Sequence, residues 1–249
     1  MMPASPGDAD VSQNPAMPPE LAAEKKRALP QSLLVTLSLL VMGALIFLSA
    51  GRLDWRGGWI FAGLVVFSLA VNGFATRVLN PALREERWKE REDTKPFDRI
   101  ITNTYLAMLL TMTVVGGLDN GRFGWTSMPA WCEPAGVILH VLGQLPMLWA
   151  FISNPHLETT VRVQKDREHK VISTGPYRFV RHPMYLGLLM MLVAWPLVFG
   201  SLWAYVPASI AMAAFILRTA LEDRTLQREL PGYEEYTRRT RYRLVPGLW

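Results

Sequence analysis

Long apolar runs without charge constrain this chain more than any other feature. No Asp, Glu, Lys or Arg interrupts Leu33–Ala50, Trp59–Ala75, Ile101–Leu118, Pro134–Asn154 or Leu186–Leu217. A helix rises about 1.5 Å per residue, so roughly 20 such residues cross a bilayer core. Hydrocarbon offers no partner to a free N–H or C=O, so runs of this kind span as helices. The last run is 32 residues long. As one helix it would overshoot the hydrocarbon by roughly 15–20 Å. It therefore reads as a helical hairpin over 185–217, turning at Gly200-Ser201 between Pro196 and Pro207. The fold class is all-α: a polytopic transmembrane helix bundle of six spans.

Charge sets the orientation. With six spans and both termini cytoplasmic, 23 of the 26 Lys and Arg residues lie inside, and only Arg52, Arg56 and Arg122 lie outside. Five spans would move the seven arginines of the tail outside, against the positive-inside bias. Trp55, Trp59, Trp125, Trp131 and Trp203 fall near the outer span ends, where indoles favour the interface. The organisation predicted is a disordered lead over 1–31, then four spans over 32–153 with a charged cytoplasmic loop at 76–100. A cytoplasmic loop, the hairpin and a cytoplasmic cap follow over 154–249. Within the charged loop, Asn80–Arg99 reads as a surface helix in which Glu86 and Glu90 face Arg87 and Arg91. The first run begins too late in the sequence and is too long for a cleaved signal peptide.

These patterns exclude several classes. The pI near 9.5 does not point to nucleic acid, because the basic residues flank apolar runs instead of forming one patch. The single cysteine, Cys132, forms no intramolecular disulfide and reads as a passive residue of an outer loop. The four histidines show no HxxxH or HExxH spacing, so no metal is expected. No glycine-rich nucleotide motif is present. The spans carry no charge that would mark an ion path, and His140 reads as a satisfied interior histidine.

Two polar blocks remain, one on each side of the hairpin. In STGPYRFVRHPMYLG, Gly175-Pro176 and His182-Pro183 are turn signals. The residue before a proline avoids the helical region, which predicts an extended His182, and Pro183 suits the first turn of the fifth span. Arg178, Arg181, His182 and Tyr185 thus gather at a helix N-terminus, which favours an anion. The second block follows the sixth span and holds Arg218, Glu222, Asp223, Tyr233 and Tyr236. Its bland alternative is an Arg218–Glu222 pair at i,i+4 with a solvated Asp223. A hairpin brings the two blocks side by side, and together they offer an anion site, two carboxylates and aromatic faces.

GPYRFVRHPMYLG resembles the signature of isoprenylcysteine carboxyl methyltransferases, a region similar in phospholipid N-methyltransferases and membrane thiol methyltransferases. ALEDRTLQRELPGYEEYTRRTRYRLVPGLW is similar to the closing segment of that family. The family's acidic pair, commonly Glu-Glu, stands here as Glu222-Asp223. The resemblance covers roughly Asn154–Trp249. It implies S-adenosylmethionine as methyl donor, bound under a cytoplasmic cap, with Arg181, His182, Pro183, Tyr185, Gly187, Glu222 and Asp223 around it. Tyr185 and Tyr233 are the aromatic residues available to an adenine. His182 and Glu222 are the residues to act as base if the acceptor needs one. The acceptor implied is a lipid or lipid-linked molecule: an isoprenylated cysteine carboxylate, a phospholipid amine or a thiol. Rival readings are a sterol-reductase-like enzyme using NADPH and a non-enzymatic membrane protein. A bacterial inner membrane and an endoplasmic reticulum membrane suit the pattern equally.

Overall fold

The computed structural model describes residues 31–81, 83, 94–164 and 167–249. The lead up to residue 30, and residues 82 and 84–93 of the Asn80–Arg99 segment with its Glu86–Arg91 pairs, lie outside the described residues. Two compact units divide the chain after Val41, within helix α1 (Gln31–Ala50). In the first unit α1 exposes Leu33, Leu34, Leu37 and Leu40, and Ser38 returns its hydroxyl to Leu34 O at 2.8 Å. Such a face suits a lipid solvent, and the Ser38 hydroxyl is satisfied within its own helix.

The second unit begins with the last two turns of α1 and contains the other helices. These are α2 (Arg56–Phe74) with a π-helical end at Ala75–Leu79, and α3 (Pro96–Gly116) with a π-helical end at Gly117–Phe123. Then come α4 (Cys132–Ser153), a 3-10 turn (Gly175–Arg178), α5 (Pro183–Phe199), α6 (Tyr205–Glu229) and α7 (Tyr233–Arg239). No strand occurs among the described residues. Among the described residues, five helical stretches are long and apolar enough to cross a membrane: Leu33–Ala50, Arg56–Leu79, Pro96–Phe123, Cys132–Ser153 and Tyr205–Glu229. The sixth predicted span, α5, is apolar but only 17 residues long. The chain reads as an integral membrane protein.

The hairpin turns where the sequence places it. Gly200 closes α5 with φ +66°, a conformation open to glycine, and its N–H bonds Leu197 O at 3.1 Å. Asp119, fully buried at the end of α3, fastens this turn: Oδ2 accepts from Ser201 Oγ and from Thr126 Oγ1, both at 2.6 Å, and Oδ1 accepts from Thr126 N at 2.8 Å. The apolar-run reading stops one residue short of this carboxylate.

Small residues set the closest crossing. A Cβ on Gly136 would lie 2.7 Å from Ala194 O, and one on Gly143 would lie 2.8 Å from Gly187 O. The backbones of α4 and α5 therefore touch, as membrane helices do where small residues face each other. His140 is a satisfied interior histidine: Trp195 Nε1 donates to Nδ1 at 3.0 Å, which leaves Nε2–H to donate to Ser68 Oγ at 2.9 Å. Around this seam Phe61, Met112, Leu192, Trp195 and Phe199 form the main core.

Candidate active site

Backbone first places the site. Gly175 adopts φ +60° and opens the 3-10 turn; Pro183 occupies the first turn of α5, and His182 stands at the N-cap. His182 has φ −128° and ψ 63°, outside the helical region as its proline demands but short of the extended conformation predicted. The tail runs alongside: Arg181 N donates to Tyr242 O and His182 N to Arg243 O, each at 2.9 Å. The second block is not a separate segment after the sixth span. Arg218, Glu222 and Asp223 lie in the last turns of α6 itself, and Tyr233 and Tyr236 lie on α7.

Asp223, fully buried, is the hub. Arg181 donates from Nε to Oδ1 at 2.8 Å and from Nη2 to Oδ2 at 3.0 Å. Arg243 Nε and Gln227 Nε2 each reach Oδ2 at 2.8 Å, Tyr233 OH reaches Oδ1 at 3.0 Å, and His182 Nε2 lies 3.4 Å from Oδ1. Arg181 Nη1 also donates to Thr240 O and Arg241 O at 2.8 Å. A buried carboxylate persists only when its lone pairs are met in this way. Burial and the nearby Asp223 charge raise the Tyr233 phenol well above its ordinary range, so it stays a donor.

Glu222 faces elsewhere. Its side chain is 21% exposed, Tyr185 OH donates to Oε2 at 2.6 Å, and His182 Nδ1 lies 3.9 Å from Oε1. The Tyr185 and His182 rings stack in parallel with centroids 5.7 Å apart. The bland alternative for this block fails on both counts. Asp223 is buried rather than solvated, and the ion pair Arg218 makes is with Asp98 (Nε–Oδ1 2.8 Å), while Nη2 donates to Thr159 O at 2.7 Å. Residues 94–99 lie outside the two blocks, so no spacing rule announced Asp98.

A segment from Asn154 to Ile172 caps the site. Asp98 Oδ2 accepts from Val161 N at 3.0 Å, and Asn154 Nδ2 donates to Tyr177 OH at 3.0 Å. Glu158 and Arg162 form a buried bidentate pair at 2.7 and 2.9 Å. Gln164, 1% exposed, ties the segment to itself: Nε2 donates to His156 O at 2.6 Å, and Oε1 accepts from Arg167 Nη1 at 3.0 Å. Between cap, α5, α6 and α7 lies a cavity of about 820 Å³, part of it open to solvent. Burial raises the Tyr177 and Tyr236 phenols that line it.

Of the residues singled out from sequence, Arg181, His182, Pro183, Tyr185, Glu222 and Tyr233 line this cavity. Asp223 and Gly187 do not line it. The oxygens of Asp223 are taken up by protein donors, and Gly187 sits at the α4–α5 contact, where a side chain would meet Gly143 O. Sequence reasoning missed the cap residues Asn154, His156, Gln164 and His169, whereas Leu226, Leu230 and Tyr236, all within the second block, do join the cavity wall. The histidines were weighed only as metal ligands; among the described residues no group of three or more metal-binding side chains forms.

Two comparisons bear on this geometry. The phospholipid methyltransferase family profile matches residues 131–231, which run from the start of α4 to the end of α6. Protein-S-isoprenylcysteine O-methyltransferase of Saccharomyces cerevisiae is 28% identical over 103 residues, 41% of this chain and 41% of the relative. The chain thus spans about two fifths of the length of the curated relative it matches.

Proposed function

We propose, from the match of residues 131–231 to the phospholipid methyltransferase profile and the likeness to an isoprenylcysteine O-methyltransferase, that this chain transfers a methyl group from S-adenosylmethionine to a membrane-borne acceptor, and that the reacting group of the acceptor is a carboxylate. The observation that carries this reading is one cavity bounded by Glu222, His182 and Tyr185 on the hairpin and by aromatic and apolar side chains under the cap.

The lining suits the cofactor. Glu222 is the carboxylate open to the cavity, able to take an ammonium or ribose hydroxyls. Tyr177, Tyr233, Tyr236, Leu226, Leu230 and Val171 offer the apolar wall that an adenine needs. When bound, S-adenosylmethionine supplies a methyl group on a sulfonium, with a net charge of +1. Charge favours an anionic partner. The charged side chains on the cavity wall are Arg162, Lys170 and Arg181 against Glu158 and Glu222. No surplus of carboxylate on this wall opposes an anionic acceptor, and a carboxylate acceptor would balance the sulfonium in a low-dielectric site. Such an acceptor needs no base. The chain's work is then to align and to exclude water, which can supply several kcal/mol. Tyr185 holds Glu222, Asp223 holds His182, and the cap covers part of the cavity. The family profile's phospholipid amine is the second reading; there Glu222 and His182 would take the proton. Nothing in the structure or the comparisons favours a nicotinamide cofactor. The positive-inside pattern supports a cap facing the cytoplasm.

The test is calorimetry of S-adenosylmethionine with the detergent-purified chain, alongside His182→Ala and Glu222→Gln. Labelled methyl transfer to N-acetyl-S-farnesylcysteine and to phosphatidylethanolamine follows. Micromolar binding lost in both variants, with a base-labile methyl ester on the cysteine derivative, is the expected result. Label on the amine lipid alone would replace the carboxylate reading, and no binding by the folded chain would end the methyltransferase one.

A further inference from the structure

His156 and His169 stand at opposite ends of the cap segment, yet their rings lie 4.6 Å apart at an interplanar angle of 33°, both on the cavity wall. Gln164 sits between them. Its backbone N–H donates to His169 Nδ1 at 3.4 Å, and its Oε1 faces His156 Nδ1 at 3.3 Å. Since a backbone amide can only donate, His169 Nδ1 must be unprotonated in this arrangement. We propose that His156 and His169 are a clasp, holding the cap closed over the cavity while both imidazoles are neutral and releasing it when they take up protons.

The chemistry of the contact dictates the direction. A proton on His169 Nδ1 would point at the Gln164 N–H, donor against donor, and would bring a second charge beside the neighbouring ring. The charged groups around the pair reinforce this. Within the cap, Arg162, Arg167 and Lys170 oppose a further positive charge, while Glu158 is engaged by Arg162 and Glu168 lies 3.8 Å from Lys170. Across the cavity stand Arg181, His182, Glu222 and the neutral phenols of Tyr177 and Tyr233. Burial, with His156, Arg162 and Arg167, lowers His169 to about 4, and burial lowers His156 as well. Both folded values lie below the ordinary 6.5, so the closed cap is fully stable above that pH and is progressively lost below it.

Hydrogen exchange of the full chain in detergent, without ligand, tests the clasp independently of any methyltransferase reading. Between pH 7.5 and 5.5 the protection factors of amides in 154–172 should fall about tenfold, the effect of one imidazole moving from 6.5 to about 4. The α4–α5 core should hold its protection. The His156→Asn/His169→Asn variant keeps polar atoms near the Nδ1 positions but cannot titrate, and its cap protection should not vary with pH. Unchanged cap protection in the wild type, or an undiminished pH response in the variant, would overturn the proposal. The affinity for S-adenosylhomocysteine rests in addition on the function proposed above; it should weaken about tenfold over the same range. A cap that opens with acid in a chain that never binds this probe would sustain the clasp and remove the methyltransferase reading.

Discussion

Glu222 and Asp223 are consecutive on α6, and the roughly 100° turn between neighbours on a helix separates their fates. Asp223 is sealed into a hub of Arg181, Arg243, Gln227 and Tyr233, while Glu222 opens to the cavity with a single tyrosine donor at 2.6 Å. One carboxylate is taken up by the protein's own donors and the other lines the cavity.

Neutralising Asp223 therefore damages the fold before it damages binding. Asp223→Asn leaves Arg181 and Arg243 without their anion, and breaking a buried pair of this kind costs about 3–5 kcal/mol. Lower thermal stability in detergent and loss of the monodisperse peak are expected. Glu222→Gln should leave thermal stability near the wild type and weaken cofactor binding at least tenfold. Equal stability losses in the two variants would contradict the division of labour.

Tyr185→Phe removes the one hydroxyl that orients Glu222 and keeps the ring stacked on His182. A single hydrogen bond to a charged group contributes about 1.5–3 kcal/mol. Methyl-transfer efficiency should drop by at least tenfold with little change in stability, measured as kcat/KM beside a melting curve.

Gly187→Leu should be as harmful as a site mutation although Gly187 does not line the cavity. Its side chain would meet Gly143 O and Met147 on α4. The expected effect is a large stability loss, whereas Leu186→Ala, the neighbour on α5, should cost far less. Intact melting of Gly187→Leu would show that the two helices can separate without consequence.

Arg218→Gln leaves Asp98 buried without its cation and removes a donor to Thr159 O. Protease cleavage or hydrogen exchange should increase first around 159–161, where the cap is pinned to α3, before the core of α4 and α5 responds.

Much of this was legible from residues alone. Uncharged runs gave the spans because lipid leaves the backbone no choice but helix, and Gly200 marked the turn because few other residues take its positive φ. His182, Tyr185 and Glu222 could be brought together on paper because a hairpin has only one way to juxtapose its ends. What escaped were contacts set by tertiary placement. Asp98 reads as an ordinary acidic residue in the first turn of a helix, and only packing shows that it faces Arg218. Gly187 lies within the motif, so its sequence position suggested a ligand where the structure shows a helix crossing. The cap has no period at all, and its organiser, Gln164, has no signature.

The brevity of α5 has a consequence for where a substrate must be. Its 17 residues rise about 25 Å, against roughly 30 Å of hydrocarbon. With its Gly200 end at the far interface, next to the exposed Trp203, its His182 end stops about 5 Å beneath the near one. On the function proposed above, transfer would take place at the depth of the upper acyl chains: a greasy acceptor would not have to be lifted out of the bilayer, and a thicker bilayer would sink the site further, so that turnover would gauge membrane thickness.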